Sequence, residues 1–251
     1  MNTNIARASL CLILALSLAP LCHADEAETL KKIKKAGGFA GRVGNEYGAA
    51  FDSNKATEEN LSLLLELPKV TSLRLSDNTK MTVGCFQIIG RLKHLKQLHI
   101  FKSNITDEEL KELSGLENLE EIILDATQIT GPGAAALSNM KKLTKVRLNG
   151  PTVTNAALKH LQPIPNLYSL DLSDTKVTDA GLNDLKGMKK MGRLSLQGTA
   201  ITDSGLKIFY DTDAFGRLAM LTVSKTKVTK EAANDLKKAR STGKKGFSIT
   251  T

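Results

Sequence analysis

The chain has 251 residues, a net charge of +9 and 24% charged residues, but only 4% aromatic residues and no Trp. Of its 3 Cys, two lie in the first 22 residues, so the remainder has no intramolecular disulfide and takes its stability from packing. Abundant aliphatic residues with few aromatics suit a solenoid, in which every rung offers a slot of nearly the same size.

Residues 1–24 carry one positive charge at Arg7, an apolar run from Ala8 to Ala19, a helix breaker at Pro20 and a small residue at Ala24. This pattern predicts a cleavable secretory signal processed between Ala24 and Asp25, and hence a periplasmic or secreted protein. An uncleaved membrane anchor is the alternative, but the run is about 12 residues where roughly 20 are needed to span a bilayer. A lipoprotein site at Cys22 is the other, with Leu21 where a small residue belongs. The mature chain has no transmembrane segment on this reading.

An N-terminal cap is predicted over residues 25–48. Residues 25–36 start acidic and end basic, matching a helix dipole, and Gly37-Gly38 stops them. Phe39 to Val43 and Tyr47 to Phe51 flank a turn at Gly44 to Glu46, a hairpin whose second arm becomes the first ladder strand and covers the open end of the core.

From 49 to 224 the chain repeats. Leu167 to Leu185 reads L-Y-S-L-D-L-S-D-T-K-V-T-D-A-G-L-N-D-L, with period-2 apolar residues (Leu170, Leu172) before helix-spaced ones (Val177, Leu182, Leu185). The strand pair recurs at Leu73/Leu75, Leu98/Ile100, Ile122/Leu124, Val146/Leu148, Leu194/Leu196 and Leu221/Val223, in steps of 24 residues except the first (25) and the last (27). The insertions fall at Asp77 to Met81 and Tyr210 to Gly216, where a loop absorbs them. Ala49 and Phe51 form a degenerate first rung, giving eight strands. Thr106 and Glu109 read as a capping box, and Thr154, Thr178 and Thr202 as N-caps. Asn54, Asn78, Ser103, Thr127, Thr175, Thr199 and Thr226 form an inner column of hydrogen-bonding turns, interrupted at Pro151.

These units resemble those of bacterial leucine-rich repeat proteins, over roughly residues 33 to 236. The T-x-[IV]-T-D-x-G-L ending of Thr175 to Leu182 and Thr199 to Leu206 resembles the cysteine-containing subclass, with Thr in place of its Cys, and Ile33 to Phe51 resembles the cap of planctomycete members. The resemblance implies an α/β solenoid, a horseshoe with a parallel β-ladder on the concave face and helices on the convex face. It also implies a scaffold that binds protein.

Residues 225–251 predict a basic C-terminal cap: a helix over Thr229 to Arg240, then a strand at Phe247 and Ile249, with eight basic residues against two acidic ones.

Nothing in the chain is spaced for catalysis. His94, His99 and His160 have no nucleophile or carboxylate at motif spacing, Gly131-Pro-Gly133 only starts a helix, and no cofactor motif or metal-ligand spacing is present. A non-enzymatic monomer is expected, with Cys85 an unreactive helix residue.

Side-chain alternation assigns one column of each strand to the concave face. There Phe101 and Ile123 stand on adjacent rungs, ringed by Arg74, His99 and Arg147, the composition of a protein-binding hot spot. Isolated exposed apolar residues without consequence are the competing reading. The partner is an unidentified protein or peptide at this face, or an anionic polymer (glycan, lipid headgroup or nucleic acid) at the basic C-terminal end. With six basic and five acidic residues the concave face has no strong field.

Overall fold

The computed structural model describes residues 25–241 and 246–251; the leader expected over 1–24 lies outside the described residues. A helix over 25–35 (α1) leads into a hairpin, β1 (Gly38–Val43) and β2 (Glu46–Asp52), paired antiparallel. Gly44, at φ 61°, supplies the positive φ that a tight two-residue turn demands. From β2 onward the strands run parallel in chain order: β3 (Val70–Ser76), β4 (Gln97–Phe101), β5 (Glu121–Asp125), β6 (Lys145–Leu148), β7 (Ser169–Asp171), β8 (Arg193–Ser195), β9 (Met220–Thr222) and β10 (Ser248–Thr250).

The register follows the repeat. Leu73 pairs with Leu98, Leu98 with Ile122, Ile122 with Val146, Val146 with Leu170, Leu170 with Leu194 and Leu194 with Leu221. These aliphatic side chains are buried and stack into one continuous core. A one-residue slip would turn every rung inside out, so the core itself fixes the register.

The convex side is built from short pieces. These are α2 (Glu58–Ser62), α3 (Val83–Gly90), α4 (Asp107–Lys111), α5 (Ala156–Leu161), α6 (Asp179–Leu182), α7 (Asp203–Leu206) and the long final α8 (Lys230–Ser241). The Gly131 rung has only a 3-10 turn over Pro132–Leu137 where a helix start was expected. A 24-residue unit must hold a strand and two reversals, which leaves room for about one helical turn.

Each rung leaves its strand through a left-handed residue at one fixed place: Ser53, Asp77, Lys102, Ala126, Gly150, Asp174, Gly198 and Lys225 all have positive φ. This conformation turns the residue's N–H toward the following rung. Ser53, Asp77, Lys102, Asp174 and Gly198 donate to Ser76, Phe101, Asp125, Gln197 and Ser224 carbonyls at 2.7–3.1 Å. The hydrogen-bonded rung contact offsets the left-handed strain at the non-glycine positions.

The threonine–aspartate pairs do more than cap helices. Thr106 makes the expected capping box with Glu109, and Thr202 accepts from the Ser204 amide, but Thr178 makes no side-chain cap bond and the N-cap of α5 is Asn155 rather than Thr154. Instead the acidic residue after the cap reaches the following rung. Asp179 accepts the N–H and hydroxyl of Thr202 at 2.8 and 2.6 Å, and Asp203 those of Thr229 at 2.7 and 3.0 Å. Asp107 holds Thr130 likewise, and Asn155 accepts from the Thr178 amide at 2.9 Å while donating to its hydroxyl. The glycine three residues after the threonine makes room for this staple: a Cβ on Gly133, Gly181 or Gly205 would overlap the side-chain oxygen of Asp107, Asn155 or Asp179.

In the inner column Asn78 bonds the Ala56 amide and the Phe51 carbonyl of the preceding rung, while Thr175, Thr199 and Thr226 donate to a carbonyl three residues back in their own rung. Thr127 has a buried hydroxyl without a partner.

At the C-terminal end α8 closes the core through Ala233, Leu236 and Arg240. Arg240 is buried beneath Phe247 and donates to the carbonyls of Phe209, Phe215 and Leu218, its guanidinium carbon 4.8 Å from the Phe247 ring centre. Burial pulls its pKa below the ordinary arginine value.

Candidate functional site

Strand alternation places the central residue of each rung on the concave face, in register: Arg74 beside His99, His99 beside Ile123, Ile123 beside Arg147, Arg147 beside Asp171. The expected site residues therefore share one surface, but not as an exposed apolar pair. Ile123 is only 7% exposed, and Phe101 is in register with Asp125, diagonal to Ile123. Burial of a concave residue is decided by its neighbours, and Ile123 lies between two long side chains, His99 and Arg147. Ile123 is thus buried while Phe101 is half-buried.

Phe101 is held from two sides. The Arg74 guanidinium carbon lies 5.1 Å from its ring centre, and the His99 ring meets it edge-on at 6.2 Å and 75°. Arg74 also donates from Nε to Ser76 Oγ at 3.4 Å.

Around this centre the charges pair across rungs. Glu121 Oε1 contacts both His99 Nε2, at 3.1 Å, and Lys145 Nζ, at 2.8 Å. Burial pushes the Glu121 carboxyl up, but Lys145 and His99 more than offset it and leave it below its ordinary value. Burial pulls His99 below the usual imidazole range, against the attraction of Glu121, so the ring is neutral near pH 7. Arg147 bonds Asp171 at 2.9 Å and reaches Asp125 at 3.9 Å. Its guanidinium is therefore already engaged within the chain.

Glu121 and Asp171 thus belong to the site and were missed as its organisers. The signal was available, since Glu121 stands one 24-residue rung before Lys145, and Asp171 one rung after Arg147, in the same concave columns. Further along, Lys145, Arg147, Asp171, Arg193, Ser195 and Met220 line a depression of about 280 Å³. Met220 is exposed, and Arg193 enters no salt bridge among the described residues.

Towards the C-terminus Lys225, Lys227, Lys230, Lys237 and Lys238 are exposed, whereas Arg240 is withdrawn into the core. Among the described residues no group of three or more His, Cys, Asp or Glu is placed to hold a metal ion, and no helix is long and apolar enough to cross a membrane. Cys85 is buried, its thiol 3.4 Å from the Ala56 carbonyl.

A parallel ladder of 24-residue rungs, with strands on one face and short helices on the other, defines a leucine-rich repeat solenoid fold. The family described as Leucine Rich repeat matches residues 164–185, the rung around Leu170 and Leu172. The chain is similar in structure to an internalin C2 from Listeria monocytogenes, with a TM-score of 0.55 and 18% sequence identity over 82% of this chain and 80% of that one. That likeness carries the fold. No curated protein matches the sequence.

Proposed function

We propose that the protein is an exported, non-enzymatic scaffold that binds a protein or peptide through its concave face, at a site formed by Arg74, His99, Phe101, Ile123 and Arg147. The observation that carries this reading is the Phe101 ring held in place by Arg74 and His99 on a rigid ladder. A side chain fixed before binding loses little conformational freedom when a partner covers it, which is the property of an interface anchor. Glu121 holds His99 and Lys145 and Asp171 holds Arg147, leaving Arg74 outside these ion pairs with guanidinium N–H groups for a partner's carbonyl or carboxylate. The leucine-rich repeat fold supports a binding scaffold as analogy, and export rests on the pattern of residues 1–24.

Replacing Phe101 and Arg74 with Ser tests the site. Loss of Phe101 removes about 1.5–3 kcal/mol of apolar contact with a partner, so capture of the native partner should weaken by at least about tenfold with unchanged unfolding. Unchanged capture would move the site elsewhere. If the exposed lysines between Lys225 and Lys238 hold an anionic polymer instead, binding falls steeply as salt rises and ignores Phe101.

A further inference from the structure

The N-terminal cap covers the core but leaves its own outer strand open. In the sheet β1 pairs with β2 alone, and its other edge has no strand beside it among the described residues. An unpaired edge is usually blunted by charge, proline or a bulge. Here it is not. Phe39 pairs with Ala50, Gly41 with Gly48 and Val43 with Glu46, so these three β1 residues share the concave face with Arg74. Phe39 is 69% exposed and Val43 79%, the two most exposed large apolar side chains among the described residues. The one charge on the strand, Arg42, lies on the opposite face and is tied to the Gly44 carbonyl, Asn45 and Glu26.

The order large, small, large is self-complementary. Laid antiparallel against itself about Gly41, β1 puts Phe39 opposite Val43 of the second copy, Val43 opposite Phe39, and Gly41 opposite Gly41. Each aromatic group then meets a β-branched one, a favoured cross-strand pair. No like charges meet on that face. The Phe39 ring already lies over Gly41, where an added Cβ would stand 3.1 Å from its Cζ, so the glycine leaves room for that ring at the axis. The ladder pattern agrees. The tight turn at Gly44-Asn45 makes Val43 and Glu46 a hydrogen-bonded pair, so alternation turns the amides of Val43, Gly41 and Phe39 toward β2 and those of Arg42, Ala40 and Gly38 outward. In the register centred on Gly41, Ala40 falls opposite Arg42 of the second copy, outward groups facing outward groups.

We propose that β1 is a homodimerisation edge, across which two copies of the chain pair antiparallel about Gly41 and join their ladders into one continuous sheet. This replaces the monomer expected from sequence, and it involves neither Phe101 nor its neighbours.

Sedimentation of the purified protein over about a hundredfold range of concentration should show a reversible change from one copy to two. Two variants separate backbone pairing from adhesion of the apolar face. Ala40→Pro removes one outward N–H, tolerable at a free edge but not in a pair, and Phe39→Ser/Val43→Lys removes the cross-strand contacts and adds repulsion. Both should weaken dimerisation more than a hundredfold while urea unfolding confirms the fold. A wild-type protein that stays monomeric throughout overturns the proposal. So does an Ala40→Pro variant that is folded and still dimerises, since the copies would then meet face to face.

Discussion

The staple between rungs makes a prediction whose sign reverses with context. In wild type the Asp179 carboxylate accepts the Thr202 N–H at 2.8 Å and its hydroxyl at 2.6 Å, and Gly205 leaves the space it occupies. A hydrogen bond to a charged acceptor contributes about 1.5–3 kcal/mol. Both partners are half-exposed, so the lower end applies and Asp179→Ala should cost about 3 kcal/mol in total. Gly205→Ala places a methyl against the same oxygen and dislodges the carboxylate. Its loss is about 2 kcal/mol, because Ala in a helix recovers about 1 kcal/mol over Gly. Once Asp179 is already Ala only Leu182 Cδ1, 3.2 Å from the added methyl, must give way slightly, and Gly205→Ala becomes stabilising by up to about 1 kcal/mol. Urea unfolding of the four proteins of this cycle should give a coupling of roughly 3 kcal/mol. Additive losses would refute the idea that the T-D-x-G glycine exists to admit the staple.

Ala126, exposed at φ 53°, should tolerate Gly but lose about 1–2 kcal/mol on replacement by Val, whose branched Cβ resists the left-handed region; thermal melts decide this. Arg240→Ala should remove the guanidinium donor from the carbonyls of Phe209, Phe215 and Leu218, of which Phe215 keeps only the Leu218 amide at 3.0 Å, and cost about 2–4 kcal/mol, and hydrogen exchange should show α8 opening first. Arg240→Lys rescues only part, since an ammonium cannot span all three acceptors. Glu46 is held down to about 2 by hydrogen bonds from Lys69 and Lys96. Its folded value is depressed, so its stabilisation is present above the ordinary 4.5 and lost as pH falls toward 2; Glu46→Gln should flatten acid unfolding in that window. His99 is depressed as well, so the unfolded chain binds its proton first and stability declines as pH drops below 6.5, a slope that His99→Gln should remove.

The register was legible because leucine spacing and core burial are the same fact seen twice: residues two apart with helix-spaced followers can only stack as rungs. Other features were hidden for physical reasons. The left-handed turn recurs in eight rungs, yet glycine marks it only at Gly150 and Gly198, because an inter-rung hydrogen bond offsets the strain at Asp77 or Lys102. The second use of Asp179 needs two rungs side by side, which no single repeat displays. Arg240 could have been found, since it continues the spacing of Ala233 and Leu236 onto the buried face of α8. In the site, alternation correctly put Ile123 on the concave side, but its coverage depends on the length of His99 and Arg147, side chains 24 residues away in either direction. Phe39 and Val43 read as one arm of a closing hairpin, and only the pairing with Ala50 and Glu46 shows which way they face.

The central claim, that a partner docks on the concave face around Phe101, is tested most directly by the affinity of the captured native partner for three proteins: wild type, Phe101→Ser/Arg74→Ser, and Lys237→Ser/Lys238→Ser. The face variant should bind at least about tenfold more weakly while the lysine variant matches wild type, consistent with loss of one buried apolar anchor. Equal affinity of the face variant and wild type, or a loss confined to the lysine variant, would contradict the account.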